Sequence, residues 1–300
     1  MYTKALLTDL YQLTMMQGLF FEGKHEQQCV FDRYYRNNPF KGGYTVVAGL
    51  EHLIDYVENI HFSDDDLAYL KSTGFFRQEF LDYLKSCALP AIFMPCPKHR
   101  RFSAGSPPSR SDQEGRSLAL GNVHVHDHEH ESLIATKARR VRTVAGNDNL
   151  MEFGLRRAQG KSAGVYGARS AMIGGFNGTS NVLAGARFGM PVLGTMAHSW
   201  VMSFSSELEA FRHYAKQYPN NLILLADTYN TLKQGVPDAI TIFKEMKAAG
   251  TLPKAYGIRL DSGDLAYLSK EAHKMFTAAG FPPMPSLPRR TTSMKTSFPN

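Results

Sequence analysis

From residue 131 to residue 280 the sequence alternates short apolar runs with stretches of helical length and period, and this alternation constrains the fold more than any other feature. A helix is expected over 132–144 and a strand over 150–153. A strand near 173–176 then leads to a helix over 181–188, and a strand over 190–194 to a helix over 206–218. The pattern continues with strand 222–226, helix 237–249, strand 255–260 and helix 265–279. Repeated β-α units with short connections imply a parallel sheet, either doubly wound or closed into a barrel.

Each of these strands runs into a polar cluster. Residues 150–153 lead to Gly154-Leu155-Arg156-Arg157, and 173–176 lead to Asn177-Gly178-Thr179-Ser180-Asn181. Residues 190–194 lead to Thr195-Met196-Ala197-His198-Ser199, 222–226 to Asp227-Thr228-Tyr229, and 255–260 to Asp261-Ser262-Gly263-Asp264. The carboxyl ends of the strands are where parallel α/β folds and barrels build their active sites. Each cluster also has a plain structural reading. Arg156 and Arg157 suit a solvated pair, Asn177-Gly178 a turn, His198 a satisfied buried histidine, and Asp261 and Asp264 helix caps. Five clusters in succession favour function. The set offers arginines for anions, Gly-Thr-Ser donors for phosphate, carboxylates for a cation, and one histidine for proton or phosphoryl transfer.

The first part of the chain reads as a smaller mixed α/β unit. Helices are expected over 8–19, 50–57, 64–71 (with Ser63 as cap) and 78–85, and strands over 29–35 and 44–47. Residues 96–130 are rich in Ser, Pro, Arg and Gly, follow neither period, and are expected to be irregular and unfolded. Their closing His124, His126, His128 and His130 lack a carboxylate scheme that would make a metal site. The domains expected are 1–130, with 96–130 irregular, and a partial barrel over 131–282, followed by a tail over 283–300.

Composition narrows the classes further. Apolar residues make up 43% and charged residues 20%, which is too apolar for a disordered chain. No apolar run approaches the roughly 18 to 20 residues that span a bilayer, so no membrane partner is expected. The start of the chain lacks a signal peptide's pattern, and Cys29, Cys87 and Cys96 form no CxxC pair, so a reducing, cytoplasmic setting is expected. The net charge is +7, but 282–300 holds Arg289, Arg290 and Lys295 with no acid, leaving +4 for the rest. That balance gives no reason to expect a nucleic-acid partner.

The clusters resemble the nicotinate phosphoribosyltransferases, a type II phosphoribosyltransferase family. The stretches that carry the likeness are Leu6-Leu7-Thr8-Asp9-Leu10-Tyr11-Gln12-Leu13-Thr14-Met15, Asn38-Pro39-Phe40-Lys41-Gly42-Gly43-Tyr44 and Glu152-Phe153-Gly154-Leu155-Arg156-Arg157-Ala158-Gln159-Gly160. Further along, Gly174-Gly175-Phe176, Gly178-Thr179-Ser180-Asn181, Gly194-Thr195, Ala197-His198-Ser199, Asp227-Thr228-Tyr229 and Arg259-Leu260-Asp261-Ser262-Gly263-Asp264 follow in the family's order. The likeness covers 1 to about 90 and about 131 to 282.

The resemblance implies an N-terminal mixed α/β domain followed by an incomplete (β/α) barrel. It implies a reaction of NAD salvage, in which nicotinate and 5-phosphoribosyl 1-diphosphate give nicotinate mononucleotide and diphosphate, with Mg²⁺ as cofactor and ATP as co-substrate. A homodimer using the first helix is implied as well. His198 resembles the histidine phosphorylated by ATP, and Tyr11 the ring that stacks on nicotinate from a neighbouring subunit. Thr195 and Arg259 resemble nicotinate contacts, with Arg156 or Arg157 adding charge. Asp261, Ser262, Gly263 and Asp264 resemble part of the phosphoribosyl-diphosphate region, and Thr179 and Ser180 offer phosphate donors. A phosphoribosyltransferase for nicotinamide or quinolinate is the nearest alternative. Because the likeness stops at 282, the later barrel strands are expected to be missing and activity impaired, with a non-catalytic fragment as the limiting case.

Overall fold

The expected β-α alternation is present, but with shorter strands and two additional helices. The computed structural model describes residues 3–25, 28–32, 38–86, 91–94, 110–114, 123–220 and 222–281. Packing divides the chain into two compact units, one of 1–144 with 154–176, the other of 145–153 with 177–300. Residues 131–144 and 154–176 therefore pack with the N-terminal residues rather than with the strand-helix series that follows them. The expected tail over 283–300 lies outside the described residues.

In the first unit, helices α1 (Leu10–Phe21), α2 (Leu50–Asn59), α3 (Asp64–Ser72), α4 (Gln78–Ser86), α5 (Val123–Ala145) and α6 (Lys161–Ile173) accompany an antiparallel sheet. Its strands are β1 (Gln28–Asp32), β2 (Ala91–Met94) and β3 (Arg110–Glu114), with β3 between the other two. This corrects the expectation that 96–130 is irregular. Residues 110–114 form the central strand and α5 begins at Val123; the remainder of 96–130 lies outside the described residues. The polar sequence Arg-Ser-Asp-Gln-Glu has no strand period of its own, and pairing on both sides is what makes it a strand.

Residues 44–47 are no regular strand. The Val46 and Ala48 amides donate to the hydroxyls of Thr136 and Ser132 on α5, at 2.8 and 3.0 Å. Side-chain acceptors there replace ladder partners. Ser63 caps α3 as expected, with Asp66 closing a reciprocal capping box. Phe80 and Leu84 are fully buried, packed with Leu13, Met16 and Leu70.

Helix α6 occupies residues that the periodicity left unassigned, and Ile173 ends it instead of starting a strand. The reason is Gly174: a Cβ there would lie 2.4 Å from that of Ala138 on α5, so the chain turns where two helices touch. Gly175 follows at φ +105°, a conformation open to glycine, and the strand starts later.

In the second unit β4 (Met151–Glu152) pairs in parallel with β5 (Gly178–Thr179), and Thr179 bridges in parallel to Val192. The expected strand over 190–194 is reduced to that single bridge. Strands β6 (Leu222–Leu225) and β7 (Tyr256–Arg259) form a second parallel pair, with Leu222 opposite Tyr256 and Leu225 opposite Arg259. Between and after them run α7 (Val182–Phe188), α8 (His198–Met202), α9 (Glu207–Gln217), α10 (Val236–Ala248) and α11 (Leu265–Ala278).

Asn181, Ser206 and Asp264 cap α7, α9 and α11 through their side chains. Leu222, Leu224 and Leu225 of β6 are fully buried, packed with Phe211 of α9 and Phe243 of α10. Burying each such side chain contributes roughly 2 kcal/mol, so this core fixes the ends of β6 and β7. Those ends carry the polar clusters.

Candidate active site

The polar residues after β6 and β7 converge on one buried carboxylate. Asp227 follows β6 by two residues, and its side chain is only 1% exposed. The paired register of β6 and β7 brings the turn after β7 alongside it. Asp227 Oδ2 accepts the Asp261 backbone N–H at 2.9 Å and the Ser262 hydroxyl at 2.6 Å. Its other oxygen, Oδ1, lies 3.3 Å from Nε2 of His198 at the start of α8. Three chain segments therefore meet on one acid.

His198 is half-buried, with 39% of its side chain exposed. Arg259, the last residue of β7, is held from two directions. Its Nη2 lies 2.7 Å from Asp261 Oδ2, and its Nη1 donates to the Met196 carbonyl at 3.3 Å. A guanidinium has five N–H donors, so these contacts fix its plane and leave donors for an anionic ligand. Thr195 is half-buried beside Met196, its hydroxyl 3.4 Å from the Met196 carbonyl.

The second unit thus brings together His198, Arg259, Asp261, Ser262, Met196 and Asp227. Asp227 stands in a cluster that the sequence singled out, but its role as the common acceptor depends on strand pairing and was not read. Gly263 is at φ +78°, which turns the chain from Ser262 to Asp264. Asp264 does what its plain reading implies, accepting the Tyr267 amide at 3.0 Å to cap α11. The Thr179 hydroxyl is committed, donating to Glu152 Oε2 at 2.7 Å and accepting the Asn181 amide at 3.0 Å. Ser180 pairs through its backbone N–H with the Glu152 carbonyl at 3.0 Å.

Tyr11 and the two arginines belong to the first unit. Tyr11 is 51% exposed on α1, where its hydroxyl accepts from Gln12 Nε2 at 3.2 Å. Arg156 and Arg157 are exposed on a 3₁₀ turn over Leu155–Arg157.

One buried acid of the same unit was not read from the sequence. Glu207, the first residue of α9, is fully buried, and burial pushes its carboxyl up to about 7, with Asp238 and Asp227 adding like-charge repulsion. In sequence it looks like any acid in a helix's first turn, and only burial distinguishes it. Among the described residues no group of three or more His, Cys, Asp or Glu side chains could hold a metal ion. No helix among them is long and apolar enough to cross a membrane.

Comparison with known proteins places the chain in a family. The family model described as the nicotinate phosphoribosyltransferase (NAPRTase) N-terminal domain matches residues 6–104, and that of the nicotinate phosphoribosyltransferase (NAPRTase) family matches 149–291. The second match runs beyond residue 282, where the motif likeness stopped. A nicotinate phosphoribosyltransferase of Bacillus subtilis is 41% identical over 280 residues, covering 92% of this chain and 56% of that protein. One of Dictyostelium discoideum is 36% identical, covering 93% of this chain and 54% of its own length. The chain spans about half the length of these relatives.

Among solved structures, human nicotinic acid phosphoribosyltransferase superposes with a TM-score of 0.83 at 29% identity, covering 91% of this chain and 64% of that one. Nicotinate-nucleotide pyrophosphorylase from Pyrococcus furiosus, at 19% identity and a TM-score of 0.71, shares the fold. The fold is α/β, an N-terminal mixed α/β domain with an incomplete (β/α) barrel of the type II phosphoribosyltransferase kind. With both family models matched in order and the quoted motifs inside them, the chain belongs to the nicotinate phosphoribosyltransferase family.

Proposed function

We propose that this chain carries the site at which nicotinate is joined to 5-phosphoribosyl 1-diphosphate, giving nicotinate mononucleotide and diphosphate for NAD salvage, with ATP hydrolysis coupled through His198. The observation that carries the reading is the placement of His198 against buried Asp227, beside an arginine already fixed in plane. In this reading Asp227, 3.3 Å from Nε2, accepts the proton carried there, which leaves the Nδ1 lone pair as the nucleophile. That lone pair attacks the γ-phosphorus of ATP. The N–P bond forms as the bond to the bridging oxygen breaks, and ADP leaves with the electron pair.

Arg259 offers its remaining N–H donors to the nicotinate carboxylate. Thr195 stands two residues past the Val192–Leu193 run, next to the same carbonyl that holds Arg259. The Ser180 hydroxyl and the backbone of the Ser262–Gly263 turn suit the phosphates, with Mg²⁺ arriving on the diphosphate as part of the substrate. In this reading 1–130 is the N-terminal domain and 131–282 the barrel domain, the assembly is a cytoplasmic homodimer, and Tyr11 stacks on nicotinate in the partner's site. The family supports nicotinate over nicotinamide or quinolinate as the pyridine.

Arg259→Ala tests the substrate assignment. A charge-assisted pair lost from a site of this kind costs roughly 1.5–3 kcal/mol, or about 10- to 100-fold. The expected result is a KM for nicotinate raised by that factor, with any use of nicotinamide unchanged. The assay is nicotinate mononucleotide formation with ATP, Mg²⁺ and phosphoribosyl diphosphate, run beside the Bacillus subtilis relative and its equivalent variant. An equal loss for both pyridines would remove the carboxylate role.

A further inference from the structure

His198 sits on a helix too short to hold itself in place. α8 runs for five residues, His198–Met202, and its cap residue Ala197 makes no side-chain cap hydrogen bond. A helix of fewer than about 12 residues is marginal on its own, so α8 takes its position from what it packs against. The contact of His198 Nε2 with Asp227 Oδ1, at 3.3 Å, is already long for a bond whose usual range is about 2.7–3.2 Å. A small displacement of α8 would break it.

Trp200, two residues past His198, ties α8 to α9. Its indole Nε1–H donates at 3.1 Å to the backbone carbonyl of Ala210, a fully buried residue of α9. Its ring meets that of Tyr214, also on α9, edge to face at 6.1 Å, and lies 4.9 Å from that of Phe204. Tyr214 is only 6% exposed and belongs to the core of the unit, as does the fully buried Val201 beside Trp200. The Ser203 hydroxyl bonds the Ser199 and Trp200 carbonyls, both at 2.8 Å, a local tie that moves with α8. Burial of Val201 is non-directional and leaves α8 free to turn on the core. The indole is directional: its N–H has the partner a buried indole needs, and the fit of the ring against Tyr214 and Phe204 sets the angle at which α8 lies.

We propose that Trp200 is a positioning residue: its ring seats α8 on α9, sets His198 against Asp227, and so decides which ring nitrogen takes the phosphate. With α8 seated, Asp227 accepts the Nε2 proton and Nδ1 attacks. With α8 shifted, that preference is lost, both neutral tautomers form, and whichever nitrogen is unprotonated attacks the γ-phosphorus, ADP leaving with the electron pair in either case. Misplacing a reacting group by about 1 Å costs on the order of a hundredfold in rate. The catalytic meaning of Trp200 rests on the phosphoacceptor reading of His198, whereas the seating of α8 does not.

The test uses the 300-residue chain with two variants, Trp200→Leu, which keeps apolar bulk without a ring, and Trp200→Phe, which restores one. Both should fold. In Trp200→Leu, without nucleotide, the His198 ring resonances should move in ¹H–¹⁵N spectra. Its ³²P labelling from ATP, per folded molecule, should slow by about 10- to 100-fold, with phosphate on both ring nitrogens. Trp200→Phe should recover most of the rate and carry phosphate on Nδ1 alone. A residue that only stabilised the fold would change the folded fraction and leave the choice of nitrogen as it was. Unmoved His198 resonances in Trp200→Leu, wild-type labelling on Nδ1 alone, failure of Trp200→Leu to fold, or a Trp200→Phe variant as impaired as Trp200→Leu would each overturn the proposal. If the resonances move but wild-type His198 takes no phosphate, the functional reading fails and the seating stands.

Discussion

Replacing His198 by Asn is expected to abolish acid-labile ³²P incorporation from [γ-³²P]ATP while leaving the chain folded. Asn keeps a donor able to reach Asp227 but has no nucleophilic nitrogen, so the variant removes the chemistry and spares the hub. The ring is half-exposed at the start of a five-residue helix, and surface substitutions at such positions shift stability by roughly 0.5 kcal/mol or less. Labelling should fall to background in a gel assay run at alkaline pH, where phosphohistidine survives. Undiminished labelling with an unchanged melting curve would remove His198 as the acceptor.

The second large effect lies where the chain turns under the site. Residues Thr231–Gly235 form a single π-helical turn that hands the chain from the Asp227 cluster to α10. A Cβ on Gly235 would sit 2.0 Å from the carbonyl oxygen of Ala226 and 2.7 Å from its carbon. Both are backbone atoms of the residue before Asp227, so neither can rotate away. Gly235→Ala must push the turn off β6 or displace Asp227 from His198 and the Ser262 hydroxyl. Overpacking in a rigid core costs typically 1–3 kcal/mol, and contact with backbone on this scale belongs at or above the top of that range. The expected result is a loss of about 3 kcal/mol in denaturant unfolding, with ³²P labelling reduced in the fraction that stays folded. A variant as stable and as readily labelled as wild type would contradict the account of the hub.

Much of this site was legible because the residues that matter stand immediately after apolar runs. Asp261 and Ser262 could be found directly after an expected strand and His198 four residues past another, whereas Arg259 closes its own strand and stood out only within the family motif. The common acceptor was harder to read. Asp227 and Asp261 are 34 residues apart, and only the β6–β7 register brings them together. Glu207 was missed for a different reason, since a first-turn acid is the commonest of helix features and its burial is a tertiary fact.

In the fold, α6 escaped notice because Ala, Gly and Ser along it leave little amphipathic contrast, although it packs closely against α5. Residues 110–114 escaped because a central strand was written in polar residues. Asp264 shows the opposite case: of its two readings in the sequence, the structure shows the plain one, a helix cap.

The most direct test of the account is the position of the phosphate on the His198 ring. With Asp227 holding the proton on Nε2, the phosphoryl group should be carried on Nδ1. The chain, labelled with ¹⁵N-histidine and incubated with ATP, can be examined by ³¹P–¹⁵N correlation under alkaline conditions. A single phosphoramidate on Nδ1 of His198 is the predicted result. Phosphate on Nε2 would mean that Asp227 does not set the tautomer, and phosphate on another residue would contradict the site itself.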